Sequence, residues 1–333
     1  MFKHSFSAMA LAAMLLPATM LAKDINVTPT TFADAWTGAA DGDVLLMEAG
    51  KYDVAFQLQS NKTITLRAAT GADVTLQQGP SALETDENVG IIFDGLTIHL
   101  RKGDHFIRLL CQSMKTLEFH NCTIEDIPRC LFNVSGDMPI EQIVLDNCIV
   151  SNCGTKGYCL FWSKASIKKF VVTGCTLYNY LDGECFFLQS NRRGGCDMEL
   201  TFENNTVSKW GIGDGDTSPF FNVTDKLGRN ATFTFRNNIF SGGSIAANRP
   251  NIIATAGGTV TAENNLIVNF GTYSTTLNAS QNVSDLNIDD LKLKDGVIGF
   301  VNADAGNFTL PAKSPLRKAG TDKQPVGDPR WAK

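Results

Sequence analysis

Phe119-His120-Asn121-Cys122-Thr123-Ile124 is followed by Leu145-Asp146-Asn147-Cys148-Ile149-Val150. Each phrase is an apolar strand, then Asn, a small residue and a second strand. It recurs as Phe93-Asp94-Gly95-Leu96-Thr97-Ile98 and Val172-Thr173-Gly174-Cys175-Thr176-Leu177, then around Asn204-Asn205, Asn237-Asn238 and Asn264-Asn265. Counted from the Asn or Gly position (95, 121, 147, 174, 204, 237, 264), the steps are 26, 26, 27, 30, 33 and 27 residues. A repeat of this length is one structural unit stacked on itself. The units hold short strands and no convincing helix, so the expected object is an all-β parallel β-helix. Asn tolerates the left-handed backbone of a tight corner, and Gly tolerates it better. Asn121, Asn147, Asn204, Asn237 and Asn264 are therefore expected to stack along one edge.

Around Cys122 the coil reads as three strands: Phe106 to Leu110, Thr116 to Phe119 and Cys122 to Ile124. The first strands align as Cys130-Leu131-Phe132-Asn133-Val134, Cys159-Leu160-Phe161-Trp162-Ser163, Cys185-Phe186-Phe187-Leu188-Gln189 and Pro219-Phe220-Phe221-Asn222-Val223. Side chains alternate along a strand. The alternation sends Cys130, Phe132, Val134, Cys159, Phe161, Cys185, Phe187, Phe221 and Val223 inward. It sends Asn133, Ser135, Trp162, Lys164, Ser190, Asn222 and Thr224 outward.

The chain has 333 residues, 43% of them hydrophobic, which suffices for a large core. A net charge of −5 gives no basic field for nucleic acid. Residues 1–22 read as a secretory signal peptide: Lys3 and His4, an apolar run from Met9 to Leu16, Pro17, and Ala22 at the cut. The run is too short to span a bilayer, so an exported protein without a transmembrane segment is expected, periplasmic or extracellular. Residues 23–278 form the β-helix, opened by a capping helix started at Thr31 with Phe32, Ala35, Trp36 and Ala39 on one face. Residues 279–333 form a tail along the outside of the coils, with a short helical stretch from Asp285 to Lys294. The nine cysteines all lie between residues 111 and 196, at coil spacing and without CxxC pairs. Stacked free thiols are expected, although the spacing of coils, about 4.8 Å, also permits disulfides.

The opening Phe32-Ala33-Asp34-Ala35, Asp41-Gly42-Asp43-Val44-Leu45 and Gly50-Lys51-Tyr52, with Ile92-Phe93-Asp94-Gly95-Leu96-Thr97-Ile98, resembles pectate-lyase-like right-handed β-helices. The ending, Gly306-Asn307-Phe308-Thr309-Leu310 through Gly327-Asp328-Pro329-Arg330-Trp331, resembles secreted Bacteroidetes β-helix families of uncharacterised function. Those families are similar to chondroitinase-B-like and alginate polysaccharide lyases. The resemblance implies a pectin-lyase-like solenoid acting on or binding a polysaccharide. The Arg-x-Pro-x-x-Arg signature of pectate lyases and their acidic calcium pattern are not found, so no catalytic residue is carried over.

A lyase acting on a uronic acid needs a base, a positive charge beside the carboxylate and a proton for the leaving oxygen. On the outward face of the first strands, Lys164 is the expected base, Tyr158 the acid, and Arg108 a carboxylate partner. Arg192 and Arg193 add anion-binding groups, Trp162 a sugar platform, and Asn133 and Asn222 hydrogen-bonding partners. A hydrolase would instead use paired carboxylates, Asp182 with Glu184 or Asp214 with Asp216. Gly213-Asp214-Gly215-Asp216 also clusters the oxygens calcium takes, a composition equally suited to a plain turn. The third reading is a non-catalytic glycan-binding or surface scaffold. Leu160, Phe186, Leu188 and Phe220 look too apolar for an open groove, which calls for the tail or a second subunit to cover them.

Overall fold

The computed structural model describes residues 22–156, 159–180, 185–189, 197–210, 218–223, 230–242, 251–275, 279–293 and 298–333. Three sheets run the length of the molecule, with strand partners parallel at every step. The chain visits them in rotation, which makes a right-handed parallel β-helix, the hand that parallel crossovers adopt. Counted here and below among the described residues, the first sheet has nine strands and includes His105–Leu109, Cys130–Val134, Phe161–Ser163, Phe186–Leu188 and Phe221–Val223. The second has eleven and includes Met114–His120, Pro139–Asp146 and Ser166–Thr173. The third has nine and includes Thr97–His99, Thr123–Glu125 and Thr176–Tyr180.

Between the second and third sheets the expected corner is present on successive coils. Asn121, Asn147, Asn204, Asn237 and Asn264 have φ between 55° and 57°, and Gly95 and Gly174 have 71° and 58°. A second left-handed corner closes the short third-sheet strand five residues on, at Asp126, Asn152, Asn179, Lys209, Gly242 and Asn269. This row is chemically mixed, so the repeat does not announce it.

Part of the corner row is bonded from coil to coil, Asn147 Nδ2 donating to Asn121 Oδ1 at 2.6 Å, and a second, buried ladder lies one residue inside it. Asn205, Asn238 and Asn265 are fully buried. Asn238 Oδ1 accepts from Asn205 N at 2.9 Å, and Asn238 Nδ2 donates to Phe202 O at 2.7 Å. Asn265 repeats this with Asn238 N and Phe235 O, at 3.0 and 2.9 Å. Toward the N-terminus the same column is filled by Cys175, Cys148 and Cys122. Cys175 Sγ accepts from Cys148 N at 3.3 Å and reaches Leu145 O at 3.6 Å, the partners an Asn would take there. The cysteines thus stand in for ladder amides. The eight described ones are all buried and outside disulfides; Cys196 lies outside the described residues. Burial pushes the Cys111 and Cys153 thiols up to about 11 and about 12, so neither is a ready thiolate.

Asp285 ends the ladder. Its Oδ1 accepts from Asn265 N and Nδ2 at 3.1 and 2.7 Å, and its Oδ2 accepts from Tyr273 OH at 2.8 Å. Burial raises its carboxyl above the ordinary value of 3.8, against the three hydrogen bonds. With the folded value above the unfolded one, this contribution to stability is full below the unfolded value and is lost as pH rises through the folded one. Asp285→Asn keeps the acceptor and removes the charge. The variant should match or exceed the parent in melting temperature at pH 7, with its advantage shrinking on acidification through the carboxylate range. A clear loss at pH 7 would refute the desolvation account.

Inward residues of the first sheet stack in register: Phe132, Phe161, Phe186, Phe221 and Ile253. Their rings sit 4.5 to 5.7 Å apart, one per coil. The register corrects one expectation. Phe161 partners Phe186, and Trp162 partners Phe187, so Phe187 points outward. Cys185-Phe186-Phe187 is apolar throughout and cannot fix its own phase, and a one-residue slip flips the face. Leu160, Phe186, Leu188 and Phe220 are all within the core, so they need no external cover.

At the N-terminal end, helix Phe32–Gly38 seats Phe32 and Trp36 over the first coil, with Trp36 against Phe56 at 4.6 Å. Thr31 does not cap the helix through its side chain; its hydroxyl accepts from Thr28 N instead. At the other end the second sheet continues through Ser280–Ser284. Turns, not a helix, occupy 288–292. The tail then lies on the third sheet, where Ile298, Leu310, Leu316 and Val326 pack on Ile239 and Leu266. Among the described residues no helix is long and apolar enough to cross a membrane.

Candidate functional site

Parallel register makes a column of outward side chains on the first sheet: Arg108, Asn133, Trp162, Phe187, Asn222 and Ala254. Neighbours stand one coil apart, about 4.8 Å, so Arg108 to Asn222 spans a few sugar rings. Of the expected site residues, Arg108, Asn133, Trp162 and Asn222 are brought into this single column, and Lys164 lies beside it. Arg108 is exposed, Asn133 buried, and Trp162, Phe187 and Asn222 half-buried. Tyr158, Arg192, Arg193, Asp182, Glu184, Asp214 and Asp216 lie outside the described residues.

Trp162 stacks on Phe187 with ring centroids 5.5 Å apart and planes 6° from parallel. Lys164 Nζ stands 5.3 Å from the Trp162 ring centre, within cation–π reach. Gln189, two residues beyond Phe187 and on the same face, donates to Asn222 Oδ1 at 3.2 Å. The centre of the face is thus an aromatic pair flanked by amides, with one cation on the pair and another two coils away. Phe187 was hidden from sequence reasoning by the apolar run that carries it.

The turns entering the first sheet add a second group, which its sequence does not advertise because each member arrives from a different coil. Lys156 Nζ bonds Asp104 Oδ1 at 2.6 Å, and Arg129 approaches the same carboxylate at 4.0 Å. His105 sits among them. Its own burial, then the charges of Arg129 and Arg108, lower its pKa, with Asp104 opposing. This corner therefore gathers more positive than negative charge, on a chain whose net charge is −5. The spacing 104, 129, 156 is the coil repeat and was the available signal.

Among the described residues, the tail packs on the third sheet instead. Its polar contacts run along the third sheet and the Asn corner: Thr321 N to Asn237 Oδ1, Asp328 to Thr176 and Arg330 to Asn147. Among the described residues, the one cluster of three metal-donor side chains also lies elsewhere, on the third sheet.

Two family profiles match the chain, each over less than half of it. One is a domain of unknown function (DUF4957), over residues 50–180, and the other a domain of unknown function (DUF5123), over residues 200–331. No curated protein matches. Among solved structures, the chain is similar to the crystal structure of pectate lyase Pel9A. The TM-score is 0.43 and the identity 14%, over 92% of this chain and 96% of that one. At that level of likeness the architecture rests on this chain's own strand ladders, and the chemistry on its own side chains.

Proposed function

We propose that this chain is an exported β-helix protein that recognises an acidic polysaccharide along the outer face of its first sheet. The observation that carries the reading is the column Arg108, Asn133, Trp162, Phe187 and Asn222, with Lys164 against the indole and the described part of the tail packed on the third sheet. Arg108 and the corner of Arg129 and Lys156 supply charge for carboxylate or sulfate groups. The aromatic pair supplies apolar surface for ring C–H groups. The amides supply donors and acceptors for hydroxyls.

A second reading adds β-elimination on the same face. Lys164 takes the proton from the carbon α to the uronate carboxylate. Arg108, two coils away, is the cation available to offset the charge that builds on that carboxylate; the C–O bond to the glycosidic oxygen breaks as a C=C bond forms in the uronate ring, and the leaving oxygen takes a proton from water. Lys164 favours this reading by its position, at the aromatic pair in the middle of the column.

One experiment separates the outcomes. The protein is incubated with pectate, alginate, chondroitin and heparan, with retention measured by affinity electrophoresis and unsaturated products by near-ultraviolet absorbance. At least one acidic glycan should be retained, less strongly as salt rises. Trp162→Ala should weaken retention about five- to tenfold, the loss of roughly 1 kcal/mol of ring contact. If absorbance appears, Lys164→Ala should abolish it while retention persists. Retention without absorbance leaves the binding reading alone, and no retention of any acidic glycan ends the proposal.

A further inference from the structure

Strand Thr97–His99 pairs in parallel with Thr123–Glu125, and His99 is the register partner of Glu125. Partners in a parallel ladder point to the same side of the sheet, here outward. The chain then turns through the left-handed corner at Asp126, φ 55°, which brings a second carboxylate to the same spot. His99 Nδ1 stands 3.7 Å from Glu125 Oε1 and 3.5 Å from Asp126 Oδ2. Donor atoms of all three lie within 4.8 Å of one another.

We infer that His99, Glu125 and Asp126 form a binding site for one zinc-type divalent cation on the outer face of the third sheet. The site is independent of the glycan reading.

The bland alternative is an imidazolium ring bonded to a carboxylate, and the molecule shows what that looks like. His120 Nε2 meets Glu118 Oε2 at 2.8 Å on the second sheet. His99 does not do this. Its nitrogen is beyond hydrogen-bond range of both carboxylates and nearly equidistant from them. Three donors around a tetrahedral metal with bonds of about 2.0–2.2 Å are separated by roughly 3.3–3.6 Å, the tetrahedral edge. The two His99 separations lie at or just beyond that edge, and all three donors lie within 4.8 Å of one another, so side-chain rotation has to close the set around an ion. Neither carboxylate has a Lys or Arg ion-pair partner among the described residues. A dication with a neutral imidazole and two carboxylates makes a site of zero net charge. An imidazole ligand favours zinc, cobalt or nickel over calcium or magnesium, which take oxygen. Bound metal would tie the coil of His99 to that of Glu125 and leave its fourth position to water.

The test uses the untagged full-length chain, stripped of metal and titrated with Zn²⁺ by calorimetry and with Co²⁺ by visible absorption. One equivalent should bind, with the intense visible bands of tetrahedral cobalt and no competition from millimolar Ca²⁺. His99→Ala should weaken Zn²⁺ at least about 100-fold, and Glu125→Gln and Asp126→Asn should each weaken it. His120→Ala should leave it unchanged. These side chains are substantially exposed, so the variants should fold, and matching melting curves without metal check that. Absence of Zn²⁺ uptake, uptake unaffected by His99→Ala, or displacement by Ca²⁺ would each overturn the inference.

Discussion

Asn238→Ala is expected to cost about 3–5 kcal/mol of unfolding free energy, although it deletes only one small polar group. Asn238 Oδ1 is the acceptor for Asn205 N, and its Nδ2 is the donor to Phe202 O. All of these lie in the closed interior, where no water replaces them. Truncation orphans one buried N–H and one buried carbonyl, each costing about 1–3 kcal/mol, and leaves a small void besides. Asn238→Asp should be at least as damaging, because it sets a carboxylate oxygen against the Phe202 carbonyl. The contrast is Asn204→Gly, at the first Asn of the preceding Asn-Asn pair. Asn204 has φ 57° and needs only a residue that tolerates it, so Gly there should change stability by less than about 1 kcal/mol. Urea unfolding of the three variants checks both statements. If Asn238→Ala and Asn204→Gly shift the midpoint alike, the inner column is not a ladder.

That contrast also marks what the sequence made legible. The corner Asn was readable because left-handed geometry selects residue type strongly, and the selection repeats at coil spacing. The inner ladder was not, because half of its column is Cys and half Asn. Both types accept a coil's N–H and reach back to a carbonyl, but a thiol and an amide share no obvious pattern in sequence. The cysteines looked like core filler or a disulfide framework, and the structure gives them ladder partners.

The candidate face was legible where alternation was unambiguous. Trp162 is flanked by Phe161 and Ser163, and Asn133 and Asn222 interrupt apolar runs, so their outward phase follows from the period of two. Phe187 defeated that reasoning because both of its neighbours are also apolar. Its true phase is set by pairing: Phe161 N bonds Cys185 O, and Cys185 N bonds Phe220 O. The corner of Asp104, His105, Arg129 and Lys156 was not assembled in sequence, because three turn residues and the first residue of a strand meet there only once the coils are stacked. The covering tail was anticipated as a strap on the outside, but its track was not. It needed the position of small hydroxyl residues on the third sheet, Thr176 and Thr206, which are partners in register.

Asp328 is the residue that fastens this strap, and Asp328→Ala should cost about 3–5 kcal/mol. The carboxylate is buried. It accepts from Thr176 OH at 2.6 Å and from Arg330 N at 2.9 Å, and it faces Arg330 Nε at 2.8 Å. Arg330 in turn donates to Asn147 Oδ1 and Gly174 O, and Trp331 Nε1 to Thr176 Oγ1. Removing the carboxylate leaves a guanidinium and a hydroxyl without their shared acceptor in a closed site. Burial nevertheless raises the Asp328 carboxyl above its ordinary value, outweighing the help of Thr176 and Arg330. The charge itself is therefore held at a cost, and the bonds carry the benefit. Asp328→Asn, which keeps an acceptor for Thr176 and for Arg330 N, should lose much less than Asp328→Ala. Limited proteolysis under native conditions reads the consequence locally: Asp328→Ala should release the segment after about residue 298 while the coils resist. Equal resistance of the parent and both variants would mean that the apolar contacts of Leu310, Leu316 and Val326 hold the tail alone. Because the strap is anchored on the third sheet, its release should leave the proposed glycan retention at Trp162 unchanged, which separates the stability of the solenoid's outer seam from the chemistry proposed for its first sheet.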